Sequence, residues 1–256
     1  MINNLKSDFL RIAISKKYIA LIMFISVVLP VGSEIILNAL YKIMNIKPIC
    51  SLNDYMTFQT EEVLYLALLI TYYLHFEMEE GILRNKIISG KKRENIYLSY
   101  CIMLSSIAVL MLLLSVCSTG LTVIFLGYEF EADLIMKLFK MLGLQILSSI
   151  AVCFIMVTVY FICGTSKAAI VIPGCIAIAS RIGLLVVFDK LYPENGVCLL
   201  TGVKLWVFKF IEQYVPFSFL AVAPRISIIK GACGCVLFIC LSAFVGVVAI
   251  KNVDLK

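Results

Sequence analysis

The chain has 256 residues, a formal net charge of +6 and a mean hydropathy of +1.04, and 62% of its residues are apolar. Only 15% of the residues are charged, whereas ordinary soluble domains carry about 25%. This composition excludes a soluble globular domain and predicts an all-α integral membrane protein. The basic residues flank apolar segments and form no patch interleaved with aromatic residues, so the charge does not indicate nucleic-acid binding.

Residues 2–17 have the pattern of an amphipathic helix. Polar residues such as Lys6, Asp8 and Arg11 lie mostly off an apolar stripe with helical spacing. The stripe consists of Ile2, Leu5, Phe9 and Ile12. We expect this helix to lie in the membrane interface with its lysines toward anionic headgroups. The alternative interpretation is a frayed, charged tail.

Six apolar segments are long enough to cross a hydrocarbon core of about 30 Å as helices. They are residues 18–41, 55–76, 96–126, 141–163, 168–188 and 231–250. Three of them are interrupted: the first carries Pro30 and Glu34, the second is uncharged only from Val63, and the fifth carries Arg181. The sequence thus predicts a single six-span domain over residues 1–256.

The basic residues near the ends of these spans predict the orientation. They concentrate in the N-terminal segment and in the connection between the second and third spans: Lys6, Arg11, Lys16, Lys17, Arg84, Lys86, Lys91, Lys92 and Arg93. This distribution predicts a multi-pass membrane protein with both termini in the cytoplasm.

Residues 189–230 form the longest predicted outer segment. Three prolines interrupt this segment, but residues 205–220 are too apolar for a solvated loop. Because apolar stretches of this length are poor spanners, we expect one or two re-entrant or interfacial helices before the last span.

The ten cysteines lie mostly inside predicted spans, where a thiol behaves as a small apolar group. Their spacing indicates no metal site. Cys50 and Cys198 fall in predicted outer loops, and whether they form a disulfide is left open by the sequence.

A charged stretch, residues 77–97, separates the second and third predicted spans. It begins with acidic residues and ends with basic ones, the polarity that a short helix prefers. Ile82, Leu83, Ile87 and Ile88 give it an apolar side, and Gly90 is a natural stop. The pattern predicts a short amphipathic helix at about residues 78–90. A loop that only sets topology is the alternative.

The order of residues in this stretch resembles the cytoplasmic loop of type-2 ABC exporter permeases. The resemblance rests on Glu77, Gly81, Arg84-Asn85, Ile87-Ile88-Ser89-Gly90, Arg93 and Ile96-Tyr97-Leu98. Six spans, an N-terminal interfacial helix and a partly buried outer segment also match that family.

The resemblance implies that the loop is a coupling helix seated on a separate ATP-binding subunit. It implies that Glu77, Gly81, Arg84, Asn85, Gly90 and Arg93 shape or seat this helix. Two ATP-binding subunits would then carry ATP and Mg, beside a second permease that is identical or homologous. This chain itself would bind no cofactor.

The sequence contains no G-x-x-x-x-G-K-[ST] phosphate loop, and the nearest candidate, residues 164–167, lacks its first glycine. We therefore expect no ATPase activity in the chain alone.

Glu79, Glu80 and Arg84 also fit the EE-x-x-x-R signature of intramembrane CAAX-type proteases. That chemistry requires histidines on later helices, but the single histidine, His75, precedes the motif.

Two charges fall inside predicted spans. At 1.5 Å per residue, Glu34 and Arg181 lie roughly 24 Å and roughly 20 Å above the cytoplasmic ends of their helices. Buried charges in membranes usually pair or line a pathway, so these residues are predicted to pair or to contact cargo. Snorkelling of both side chains to the interface is the alternative.

The family resemblance implies export of amphipathic or antimicrobial peptides out of the cell or its membrane. An apolar, aromatic-rich domain is equally compatible with lipid-linked or drug-like cargo. A membrane scaffold or sensor subunit that transports nothing is an alternative of a different class. A secondary transporter is not favoured, because no inverted repeat is evident.

Overall fold

A computed structural model describes residues 2–44, 49–50, 62–130, 134–164, 168–193, 198, 200–221 and 227–251. Within these ranges the protein is all-α, apart from β1 (Ile49–Cys50) and β2 (Glu129–Phe130), which pair in parallel. The helices are α1 (Ile2–Ile14), α2 (Lys16–Ile43), α3 (Glu62–Glu79), α4 (Ile82–Ile88), α5 (Arg93–Phe125), α6 (Leu134–Cys163), α7 (Ala168–Leu191), α8 (Gly202–Tyr214), α9 (Pro216–Ala221) and α10 (Ile228–Lys251).

Five helices in the described ranges are long and apolar enough to cross a membrane. They are α2, α5, residues Met141–Cys163 of α6, α7 and α10. The second predicted span, residues 55–76, corresponds to α3, whose 18 residues include Glu62, Glu77 and Glu79 at its ends. Residues 55–61 of that predicted span lie outside the described residues, so the six-span arrangement stays a prediction.

Helix α6 occupies the centre of the bundle, where it contacts α3, α5, α7, α9 and α10. The core around it contains four fully buried tyrosines: Tyr73, Tyr97, Tyr100 and Tyr160. By contrast, α2, α7 and α10 are mostly unburied and expose large apolar side chains such as Ile36, Leu185 and Phe244. An apolar exterior of this kind is compatible with hydrocarbon as the surrounding solvent.

A π-helical segment, Phe24–Val28, interrupts α2 just before Pro30. Proline has no N–H to donate to the carbonyl four residues earlier, which here is the carbonyl of Ser26. The hydroxyl of Ser118 on α5 donates to this carbonyl at 3.1 Å. The irregularity in α2 is therefore supported by a hydrogen bond from the neighbouring helix.

Two glycines allow α10 to pack closely. A Cβ atom at Gly246 would overlap the ring of Tyr97 on α5, and one at Gly234 would overlap the backbone of Tyr214 at the end of α8. Close approach of this kind is the usual role of small residues between membrane helices. These contacts fix α10 against both α5 and α8.

Several element boundaries differ from the sequence expectations. The N-terminal helix ends at Ile14 instead of residue 17, because Ser15 adopts an extended conformation between α1 and α2. The predicted helix at 78–90 is shorter, since α3 continues through Glu79 and a new helix starts only after Gly81. Two short helices, α8 and α9, occupy the predicted outer segment, although their depth in a membrane stays a prediction.

Candidate functional site: a buried ionic cluster beneath α4

Four charged side chains meet where α1 and α4 pack against the end of α3 and the start of α5. They are Asp8 and Arg11 of α1, Glu77 of α3 and Lys86 of α4. Asp8, Glu77 and Lys86 are only 0%, 1% and 6% exposed. Two acids and two bases balance one another, as burial of charge requires. We call these four residues the ionic cluster.

Lys86 is the centre of the cluster. Its Nζ donates to Asp8 Oδ1 at 2.8 Å, to Glu77 Oε2 at 3.2 Å and to the hydroxyl oxygen of Tyr100 at 2.9 Å. Its Nζ is also 4.3 Å from the centroid of the Tyr100 ring. All three donor positions of the ammonium group are thus used, by partners on α1, α3 and α5. A single side chain of α4 therefore joins three other helices.

Glu77 accepts the other hydrogen bonds that hold the ionic cluster together. Its Oε1 accepts hydrogen bonds from Arg11 Nη1 and, at 3.1 Å, from the hydroxyl of Tyr73. Its Oε2 accepts a hydrogen bond from the hydroxyl of Tyr100 at 2.8 Å. Both carboxylate oxygens are therefore hydrogen-bonded, which offsets the desolvation of this charge.

Asp8 is less completely satisfied. Burial raises the pKa of its carboxyl group above the ordinary value, and the hydrogen bond and charge of Lys86 only partly oppose this shift. Its Oδ2 atom has no hydrogen-bond partner among the described residues. Burial and the unpaired Oδ2 atom together favour the protonated form of this carboxyl group.

The opposite side of α4 is exposed. Arg84 and Asn85 are exposed, and Ile88 is 73% exposed. Gly81 before the helix and Gly90 after it have φ angles of +65° and +80°, in the left-handed region that favours glycine. The two glycines therefore delimit α4 as a separate short helix that is held from one side and free on the other.

Arg93 has a different position from Arg84 and Asn85. Its Nη1 donates to the carbonyl oxygens of Ile250 and Lys251 at 3.2 Å and 2.7 Å, at the end of α10. Glu94 next to it forms an ion pair of 2.6 Å with Lys251. Carbonyls at a helix end lack intrahelical partners, so Arg93 caps α10 and ties it to the start of α5.

Glu34 and Arg181, the two charges inside predicted spans, lie on α2 and α7, which contribute no residue to the ionic cluster. Glu34 is 5% exposed on α2, whereas Arg181 on α7 is partly exposed. Glu34 is thus buried within the protein, contrary to a snorkelled position. Pairing of Glu34 with Arg181, and contact with cargo, stay predictions.

The other residues that the sequence singled out do not belong to the ionic cluster. His75 Nε2 lies 3.0 Å from Glu79 Oε1 at the exposed end of α3. No group of three or more His, Cys, Asp or Glu side chains that could hold a metal occurs among the described residues. Cys198 is a free thiol 3.6 Å from the carbonyl oxygen of Lys190, while the side chain of Cys50 lies outside the description. Residues 165–167, from the weak phosphate-loop candidate, are also outside it.

The sequence singled out Glu77 but not its partners Arg11, Lys86 and Tyr100, nor Asp8, which pairs with Lys86. A signal was present: Asp8 lies three residues after Leu5 and four before Ile12, which places it on the apolar stripe. Lys86 likewise lies three residues after Leu83. Polar residues at apolar positions of two amphipathic helices are candidates for burial as a pair.

No protein-family model, no curated protein and no solved structure matches this chain.

Proposed function

We propose that the chain is the membrane-spanning permease subunit of an ATP-driven exporter, with α4 as the helix that docks on a separate ATP-binding subunit. The observation that carries this proposal is the two-sided construction of α4. One side inserts Lys86 into the ionic cluster, and the other exposes Arg84, Asn85 and Ile88. A loop that only sets topology needs neither a buried lysine nor an exposed isoleucine.

The contacts of α4 give the proposal a mechanism. Lys86 joins α4 to α1, α3 and α5, and the connection that follows α4 leads to Arg93, which holds the end of α10. A push on α4 by closure of two ATP-binding subunits would therefore move several helices together. Of the six residues that the family resemblance assigns to the coupling helix, Arg84 and Asn85 are exposed for contact. Glu77, Gly81, Gly90 and Arg93 position the helix.

The proposed setting is a bacterial cell membrane with both termini in the cytoplasm, which places α4 on the side where ATP is available. A second permease, identical or homologous, completes the transporter, and ATP and Mg bind to the partner ATPase. The proposed cargo is an amphipathic or antimicrobial peptide. An apolar, aromatic-rich domain is compatible with such cargo and equally with a lipid-linked or drug-like molecule.

Co-purification with the candidate ATP-binding subunit tests this proposal. The native chain is expected to form a complex and to change the ATPase rate of that subunit. The double variant Arg84→Glu with Asn85→Ala should lose both, because a charge of opposite sign enters the docking surface. Lys204→Glu on α8, equally exposed, is the matched control and should retain both.

Two outcomes would contradict the proposal. The first is failure of the native chain to bind any ATP-binding subunit, which would favour a scaffold or sensor subunit. The second is equal loss of binding in the Lys204→Glu control, which would place the docking surface elsewhere.

A further inference from the structure

A groove of about 660 Å³ opens where α1 and α2 meet beside α3. Its cationic lining consists of Arg11, Lys16 and Lys17, and Ser15 lies between the two helices. Lys16 and Lys17 are exposed, and neither forms an ion pair with a residue that the structure describes. The groove therefore presents concentrated positive charge without an internal counter-charge for the two lysines.

The other walls of the groove are aromatic and apolar. Tyr18 packs edge-on against Tyr72 and Phe76, with ring centroids 5.7 Å and 6.4 Å apart. These rings, with the exposed Ile14, line the groove. The Tyr18 hydroxyl is a buried polar atom with no hydrogen-bond partner in the described part of the chain.

The position of the groove relative to α2 identifies its occupant. Lys16 is the first residue of a helix long enough to span a membrane, so the lysines lie at the level of the membrane surface. Beyond them, α2 exposes Ile19, Met23 and Phe24, which continue the apolar surface away from the charges. A ligand with an anionic head and an apolar tail matches both parts, whereas a soluble acidic partner would leave the apolar part uncovered.

We infer that this groove binds one molecule of acidic phospholipid, with its phosphate among Arg11, Lys16 and Lys17 and its acyl chains along Tyr72, Phe76 and the exposed face of α2. The inference requires only that the chain lies in a membrane and is independent of the proposed transport function. It goes beyond a general attraction of basic residues to headgroups, because it assigns one lipid to a groove built from three helices.

Native mass spectrometry of the purified full chain tests the inference. The chain is mixed in detergent with equal amounts of phosphatidylglycerol and phosphatidylcholine that carry identical acyl chains. The native chain is expected to retain phosphatidylglycerol about tenfold over phosphatidylcholine, since each basic residue near a lipid surface adds appreciable attraction. The double variant Lys16→Gln with Lys17→Gln should lose this preference.

Three controls make the result decisive. Lys190→Gln with Lys204→Gln removes two exposed lysines elsewhere and should keep the preference. Lys16→Arg with Lys17→Arg conserves the charge and should also keep it, which distinguishes loss of charge from misfolding. Tyr72→Ala with Phe76→Ala should reduce retention of the lipid, because the apolar wall is removed.

The inference is overturned if the native chain shows no preference, or if both lysine-to-glutamine pairs lose it equally. Displacement of phosphatidylglycerol by millimolar inorganic phosphate would also overturn it, since the groove would then be a site for a free anion.

Discussion

The two ends of the helical bundle are held together by different chemistry. Where α1, α3, α4 and α5 meet, the contacts are between buried charges, centred on Lys86. Where α8 and α9 pack against α6 and α10, they are a hydroxyl-to-carbonyl bond and close backbone packing: Ser148 Oγ of α6 donates to the Pro216 carbonyl at 2.5 Å, and Gly234 of α10 lies against the backbone of Tyr214. Glu212 is also buried at this end, but its carboxylate accepts from a neutral group, the hydroxyl of Tyr192.

This difference predicts how each end of the bundle responds when one of its contacts is lost. Close packing acts locally, so loss of one contact affects two neighbouring elements. An ionic cluster is satisfied only when all its members are in place, because each buried charge depends on the others. The α4 end should therefore move as one unit, and the α8–α9 end should tolerate local change.

Replacement of Lys86 should be the most damaging change. In Lys86→Met, Asp8 and Glu77 lose their shared cation, and removal of one partner from a buried ion pair costs about 3–5 kcal/mol. Thermal unfolding of the purified chain should show a clearly lower melting temperature. Lys92→Met, an exposed lysine in the connection after α4, is the matched control and should be nearly silent.

A double variant separates loss of the cation from loss of the side chain. Lys86→Met combined with Asp8→Asn removes one acid with the base and should recover part of the lost stability. Equal melting temperatures for Lys86→Met and Lys92→Met would show that the ionic cluster does not hold this end together.

At the other end, Gly234→Ala should have a smaller and more local effect. The new Cβ would overlap the Tyr214 backbone, which can yield only by a shift of α8. Overpacking of this kind costs about 1–3 kcal/mol. Gly183→Ala on α7, where a Cβ meets nothing within 4 Å, should leave the melting temperature unchanged or raise it. If Gly234→Ala also prevented binding of the ATP-binding subunit at α4, the two ends would not be independent.

The smallest predicted effect concerns pH. Because burial raises the pKa of Asp8 in the folded chain, the folded state holds this proton more tightly than the unfolded state. The contribution of Asp8 to stability is therefore fully present below its ordinary pKa and is lost as pH rises through the raised value. Melting temperatures measured between about pH 4 and about pH 8 should show this loss in the native chain and not in Asp8→Asn. Identical profiles for the two proteins would contradict it.

The sequence was sufficient for an all-α chain of membrane-like composition, for five helices long and apolar enough to span a membrane, and for short helices before the last one, of which it predicted one or two. Length and apolarity determine these features locally, and prolines mark where α8 and α9 end. Glu77, Arg84 and Asn85 were singled out by the family resemblance, and their role in a coupling helix stays a prediction.

The interior of the candidate site did not follow from local pattern, for a physical reason. Asp8 and Lys86 are 78 positions apart, and each is an ordinary polar residue until the fold brings the other within 2.8 Å. Glu77 was expected to shape or seat α4, but its burial with Tyr73 and Tyr100 depends on how α3 and α5 pack. Arg93 likewise meets the end of α10 only in the tertiary structure.

The proposed function depends on contact between the exposed side of α4 and an ATP-binding subunit. The most direct measurement places a photo-cross-linking amino acid at Ile88, which is 73% exposed on α4, in the full chain in living cells. A second chain carries the same cross-linker at Val203, which is 77% exposed on α8. We expect a covalent adduct with a nucleotide-binding subunit from the cross-linker at Ile88 and none from the cross-linker at Val203. Absence of that adduct at Ile88, or an equal yield at both positions, would contradict it.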